Sequence, residues 1–231
     1  MLERENVNVP PLVEDSTSAS RPVSERQQQI ADAAAKLFSK QGYYRTNILQ
    51  ISELAGISSG LIYQYFKNKE EVLFLTVLQV LETYEREIPA ALKGVEHPLE
   101  RLTTALRAYC GVVDSRRDGT VLAYRSTKSL LPEQQDVIKK AELRTNDLLK
   151  ECLEQCVREG LLVQANPLLH AYQLALFSHA WALKHWAYLD TFTLDEYVAE
   201  GERLLIEPFL TKKGWKEMEQ VSNGAGGAAS D

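Results

Sequence analysis

One run limits what this chain can fold into more than any other: residues 42–73, GYYRTNILQISELAGISSGLIYQYFKNKEEVL. A polar pair, Thr46-Asn47, stands where a helix would be capped, and Ile48, Ile51 and Leu54 follow at helical spacing. Gly56 supplies the left-handed backbone of a sharp turn, and Ser58 is suited to cap a second helix. Ile62 and Phe66 lie four apart, so one face of that second helix docks inward and the other stays free. This spacing predicts a helix-turn-helix, a layout that lays its second helix in the major groove of DNA.

The residues on the free face suit a phosphate-lined groove. Ser59, Gly60, Gln64 and Tyr65 are small or amphipathic, and Tyr63 carries a phenol able to donate to a phosphate oxygen. Lys67 and Lys69 sit where the next helix begins, and a helix N-terminus itself favours phosphate. Thr46, Asn47 and Ser58 occupy helix starts in the same motif and complete the candidate DNA-binding set with Lys69. Ile62 and Phe66 read as core. Gln64 could pair with adenine or remain solvated, and Tyr65 could face either core or groove. The net charge of −6 opposes DNA only as a sum: residues 21–70 carry seven Lys/Arg and four Asp/Glu, a local +3. DNA affinity follows the local face, and the acidic remainder limits nonspecific binding.

The string T-x4-I-x3-A-G-I-S-x-G-x-I-Y-x-Y-F-x2-K-E, from Thr46 to Glu70, resembles the signature of the TetR family of bacterial transcriptional regulators. Ile30, Ala33-Ala34, Leu37-Phe38 and Gly42 extend the match upstream. Ser52 departs from it, since the family commonly has Ala after the Ile. The resemblance covers the N-terminal quarter of the chain. It implies that Tyr63 and Lys69 touch the DNA backbone, that the remaining helices enclose a small-molecule pocket, and that two subunits pair.

The rest of the chain reads as helix throughout, so the expected fold class is all-α. Its parts are a three-helix DNA-binding unit at 24–70 and a helical ligand-binding and dimerisation domain at 71–210. Disordered segments are expected at 1–23 and 211–231. Breaks are expected at Gly94, Gly119 and Gly160, with Pro98, Pro132 and Pro167 opening new helices. The stretch from Leu168 to Leu189 is apolar around most of its circumference. With Leu204, Leu205 and their neighbours it predicts a four-helix homodimer interface, which would present two recognition helices to a palindromic operator. No apolar run is long enough to span a membrane and no secretory signal opens the chain, so the expected compartment is the cytoplasm. Cys110, Cys152 and Cys156 read as reduced core thiols.

No nucleophile motif, phosphate loop or metal-ligand spacing appears in residues 98–210, so neither an enzyme, a cofactor nor a metal is expected. Tyr109, Tyr124, Phe177, Trp181 and His185 are candidate ligand contacts, with Trp181, His185 and Tyr188 on one stripe. Arg125, within the mostly apolar VLAYRSTKSLL, is expected either to form a salt bridge or to meet an anionic ligand group. The domain is also similar in layout to TetR-type repressors of fatty-acid, steroid and aromatic-acid degradation, which implies an acyl-coenzyme A as one effector class. The reading is a ligand-responsive regulator, a repressor released from its operator by a small apolar or acyl-coenzyme A-like effector. The alternative is a ligand-independent architectural or cell-division protein on the same fold.

Overall fold

The computed structural model describes residues 25–226, with side chains as far as 220. Eleven α-helices fill them: α1 (Glu25–Gln41), α2 (Ile48–Ala55), α3 (Ser59–Tyr65), α4 (Lys69–Ala91), α5 (Pro98–Ser115), α6 (Arg117–Ser126), α7 (Pro132–Arg158), α8 (Pro167–Leu183), α9 (His185–Tyr188), α10 (Leu194–Leu205) and α11 (Lys212–Gly226). No strand occurs among the described residues, only an isolated bridge between Leu162 and Leu210. The expected all-α class holds. No helix among the described residues is long and apolar enough to cross a membrane.

Two apolar cores share α4 as their spine. The first gathers Ile30, Phe38, Ile51, Ile62 and Phe66 with Val72, Leu73 and Val77 of α4. It also takes in Leu122 of α6 and Ile138 of α7. The second begins one turn later on α4, with Val80, Tyr84 and Ile88, and is filled by α5, α7, α8 and α10. The DNA-binding unit is therefore not sealed at residue 70. It is closed by the first turns of α4 and rests against α6 and α7.

Three sequence expectations change. Gly119 does not break the chain but lies in the first turn of α6, where a Cβ would come within 2.4 Å of Val80 Cγ2. It permits close helix packing rather than a turn. The long apolar helix stops at Leu183, and α9 follows as a separate turn. The segment 211–231 was expected to be disordered, yet Lys212–Gly226 is helical. Thr211 Oγ1 accepts from Gly214 N at 3.0 Å, Met218 packs on the larger core, and Glu217 reaches His97 at 3.0 Å. The arm expected at 1–23 lies outside the described residues.

Candidate functional site

The helix-turn-helix is built largely by contacts between near neighbours in sequence. Asn47 caps α2 by accepting from Gln50 N at 2.9 Å, and the Gln50 side chain accepts from Asn47 N at 3.0 Å, a reciprocal capping box. Gly56 ends α2 at φ 67°, and its N–H returns to the carbonyls of Ser52 and Glu53. Ser58 caps α3 by accepting from Leu61 N at 3.2 Å. Ile62 is fully buried beneath α3, while Tyr63 is 57 % exposed. Gly60, Gln64 and Tyr65 share that outward side.

Not every candidate contact is free to meet DNA. Thr46 is buried, donates its hydroxyl proton to Gly42 O at 2.9 Å and accepts from Gln41 Nε2 at 3.1 Å. Ser52 Oγ donates to Leu49 O, so Ser59 is the donor in the 2.8 Å contact between the two hydroxyls. The departure at Ser52 thus ties α2 to α3. Lys69 Nζ gives two of its protons to Tyr43 O and Thr46 O, at 3.1 and 3.0 Å, and lies 4.3 Å from the Tyr43 ring centre. One N–H remains for an outside acceptor. Tyr43 Oη donates to Glu70 at 2.7 Å, which holds that carboxyl below its ordinary pKa. The same set clamps the loop between α1 and α2 onto the start of α4.

The second site is a cavity of about 220 Å³ between α4, α5, α6, α7 and α8. His179 of α8 stands in its wall between two phenols. Tyr109 Oη donates to Asn146 Oδ1 at 3.4 Å, so it accepts from His179 Nε2–H at 3.2 Å. Tyr124 Oη then donates to His179 Nδ1 at 2.9 Å. This one-way chain requires a neutral imidazole, and burial lowers the His179 pKa to about 4. Burial also raises the phenols of Tyr109 and Tyr124 above their ordinary range and pushes up the Glu142 carboxyl. Tyr84, Thr120, Thr127 and Lys139 complete the polar part of the lining.

Of the six sequence-derived ligand candidates, the structure brings Tyr109 and Tyr124 to this cavity and places the other four elsewhere. Trp181 Nε1 donates to Asp114 Oδ1 at 2.8 Å, and its ring packs on Tyr188 and Tyr197. Phe177 stacks on Tyr197 at 4.3 Å and fills the space above Gly201, joining α8 to α10. His185 packs on Trp181 and meets Arg117. Arg125 is exposed and forms no salt bridge among the described residues; its Nη1 donates to Ser39 O at 3.4 Å, toward the DNA-binding unit. The expected salt bridge is thus not formed among the described residues, and Arg125 is not part of this cavity's lining.

Sequence reasoning missed Tyr84, Thr120, Glu142 and His179, because four separate helices supply them. The available signal was His179 on the mostly apolar α8, since a buried polar side chain needs partners. The three cysteines are free and buried, and burial pushes the Cys110 thiol up to about 11 and Cys156 up to about 12. They are inert thiols at neutral pH.

With both sites in view, the chain can be set beside known proteins. A family model described as bacterial regulatory proteins, tetR family, matches residues 30–75. A second, described as tetracyclin repressor-like, C-terminal domain, matches residues 95–187. The chain is 54 % identical over 203 residues to the HTH-type transcriptional regulator HbdR of Aromatoleum sp. (strain CIB), covering 88 % of this chain and 89 % of the relative. It is 27 % identical over 143 residues to the HTH-type transcriptional repressor KstR2 of Mycolicibacterium smegmatis, covering 61 % of this chain and 69 % of that one. Among solved structures, a tetR-family regulatory protein from Rhodococcus RHA1 superposes with TM-score 0.70 at 21 % identity, over 79 % of this chain and 97 % of that one. AibR, solved in complex with isovaleryl coenzyme A and operator DNA, superposes with TM-score 0.66 at 22 % identity, over 77 % and 95 %.

Proposed function

This chain belongs to the TetR family of ligand-responsive, DNA-binding transcriptional regulators, and from that premise we propose that occupancy of the tyrosine-histidine cavity controls operator binding through α6. The carrying observation is that α6 has two working faces. Thr120, Ala123 and Tyr124 line the cavity. From the ends of the same helix, Arg116 pairs with Asp32 of α1 at 3.1 Å, and Arg125 donates to Ser39 O. A ligand that displaces α6 must move α1, and α1 carries α2 and α3 with it through their shared core. Such a ligand acts only by binding one arrangement better than the other.

The family functions as dimers on operator DNA. For this chain we assign the paired surface to α8 and α10. Leu169, Leu176 and Leu204 are exposed large apolar side chains on those helices, and a two-fold axis through them suits a palindromic operator. Tyr63 is assigned to phosphate, Gln64 and Tyr65 to the base edges, and Gly60 to close backbone approach. Asn47 and Ser58 hold the helix starts, and the last N–H of Lys69 goes to phosphate. Thr46 and Ser59 support the motif from inside.

For the effector, an acyl-coenzyme A fits if only its acyl end enters, since ligand pockets usually span ~300–1,000 Å³ and this cavity is about 220 Å³. The complex of AibR with isovaleryl coenzyme A supports that class. Fluorescence anisotropy on operator DNA tests the reading. A thioester that enters the cavity should release the DNA, and Ala123→Phe, which fills the cavity, should abolish the response without lowering ligand-free affinity. Operator release that survives Ala123→Phe would remove this cavity from the mechanism.

A further inference from the structure

Two buried hydroxyls in the cavity wall indicate what chemistry it selects. Tyr84 is 1 % exposed and Thr120 is 2 % exposed, and both line the cavity. Neither Tyr84 Oη nor Thr120 Oγ1 has a hydrogen-bond partner among the described residues. They are neighbours across α4 and α6: the Thr120 hydroxyl lies near enough to draw the Tyr84 phenol downward as a hydrogen-bond partner does, against the larger upward effect of burial, yet the two do not meet in ordinary hydrogen-bond geometry. A buried hydroxyl is costly to leave unpaired, so an oxygen placed between these two would satisfy both.

The remaining polar groups of the wall are already used or bear the wrong charge for an acid. Tyr109, Tyr124 and His179 bond to one another and to Asn146. Among the described residues, Lys139 is the one cation in the lining; it is exposed and sits 3.1 Å from Asp136. Among the same residues, Glu142 is the one carboxylate of the lining, half-buried. A ligand carboxylate pushed inside would lose water, meet a like charge and gain no buried cation.

We propose that this cavity takes an uncharged apolar group bearing a single hydroxyl or carbonyl oxygen, seated between Tyr84 Oη and Thr120 Oγ1, and excludes a free carboxylate. The proposal rests on the reading of the cavity as the effector site, and it adds the rule by which effectors are chosen. A thioester satisfies the rule where the corresponding free acid does not.

Three compact probes test it on the full chain without DNA: phenol, toluene and benzoate, by titration calorimetry. Phenol should bind about fivefold to tenfold more tightly than toluene, the ratio that one or two net hydrogen bonds give, and benzoate more weakly than either. Tyr84→Phe and Thr120→Val should each pull the phenol-to-toluene ratio toward one, while Thr120→Ser should retain part of it. Benzoate matching phenol would overturn the proposal. So would a wild-type ratio of one, a ratio untouched by both variants, or failure of all three probes to bind. Operator release is a separate readout: a cavity that ranks the probes as stated yet never releases DNA breaks the control mechanism and leaves the selectivity standing.

Discussion

The two halves of this molecule place their polar groups by different rules. In the DNA-binding unit the structuring hydrogen bonds are mostly local: Asn47 with Gln50, Ser58 with Leu61, Thr46 with Gly42 and Ser52 with Ser59 lie three to seven residues apart. In the ligand-binding domain the decisive ones are distant. Tyr109 and His179 are 70 residues apart, Tyr124 and His179 are 55, and Trp181 and Asp114 are 67. The first unit can organise a docking surface from a short motif. The second makes a cavity only when five helices come together. A DNA-binding face can thus remain constant while the cavity changes one helix at a time.

The largest effect that would probe this contrast is at the proposed dimer surface, which belongs wholly to the long-range half. Leu176 is 47 % exposed and Leu204 is 62 % exposed, whereas Leu205 packs against the core and is the poorer target. Leu176→Asp or Leu204→Asp should weaken dimerisation by about 3 to 5 kcal/mol, the scale of an unpaired buried charge. Sedimentation should then show monomers that keep their helical content. Dimers persisting in both variants would move the interface elsewhere.

The next effect is a pH dependence centred on the cavity. His179 is lowered to about 4 in the folded state, against an ordinary value of about 6.5. Between those values the unfolded chain binds the extra proton, so stability is full above the unfolded pKa and falls as the pH drops toward 4. The loss should reach about 2 kcal/mol by pH 5. Denaturant midpoints compared across pH 7 to 5 should show a shallower decline in His179→Gln. Equal slopes in the two proteins would mean that His179 titrates normally.

Lys69 tests whether the local half is purely local. Its ammonium braces two carbonyls of the loop before α2, and one N–H stays available. Lys69→Ala should weaken binding to all DNA sequences alike and reduce the salt slope of binding by roughly 1. A slope that does not change, with only a lower melting temperature, would reduce Lys69 to a loop brace.

The smallest effect concerns the link between α2 and α3. Ser52→Ala removes the acceptor of the Ser59 hydroxyl and should cost about 1 kcal/mol of stability, read as a lower melting temperature. Because Ser59 is then free to donate outward, operator affinity should fall less than stability does. Affinity collapsing with little change in melting temperature would show that Ser52 orients α3 rather than merely holding it.

Most of the fold was legible because helices announce themselves locally. Gly56 in the left-handed region, the caps at Asn47 and Ser58, and Pro98, Pro132 and Pro167 at the first turns of α5, α7 and α8 all lie where the sequence pattern predicts. The readings that failed share one cause. The local pattern reads Gly119 as a break because its neighbour Val80 is 39 positions away and invisible to it. Arg125 reads as a salt-bridge former from its own helix alone, while the contact it makes among the described residues comes from Ser39. α11 was overlooked because the surface it docks on, around Leu161, is remote in sequence.

The sequence by itself therefore determined the family, the all-α class, the helix-turn-helix and its outward face, since each depends on residues within a turn or two of one another. Only the tertiary structure decided which aromatics form a cavity and which form a seam. Trp181 and Tyr109 look alike on their own helices, and burial alone does not separate them. What separates them is the facing helix: Asp114 and Tyr197 claim Trp181, whereas His179 and an open space meet Tyr109. A side chain's chemistry is a property of the residue, but its partner is set by how whole helices pack, and that packing is a sum over contacts that no single segment encodes.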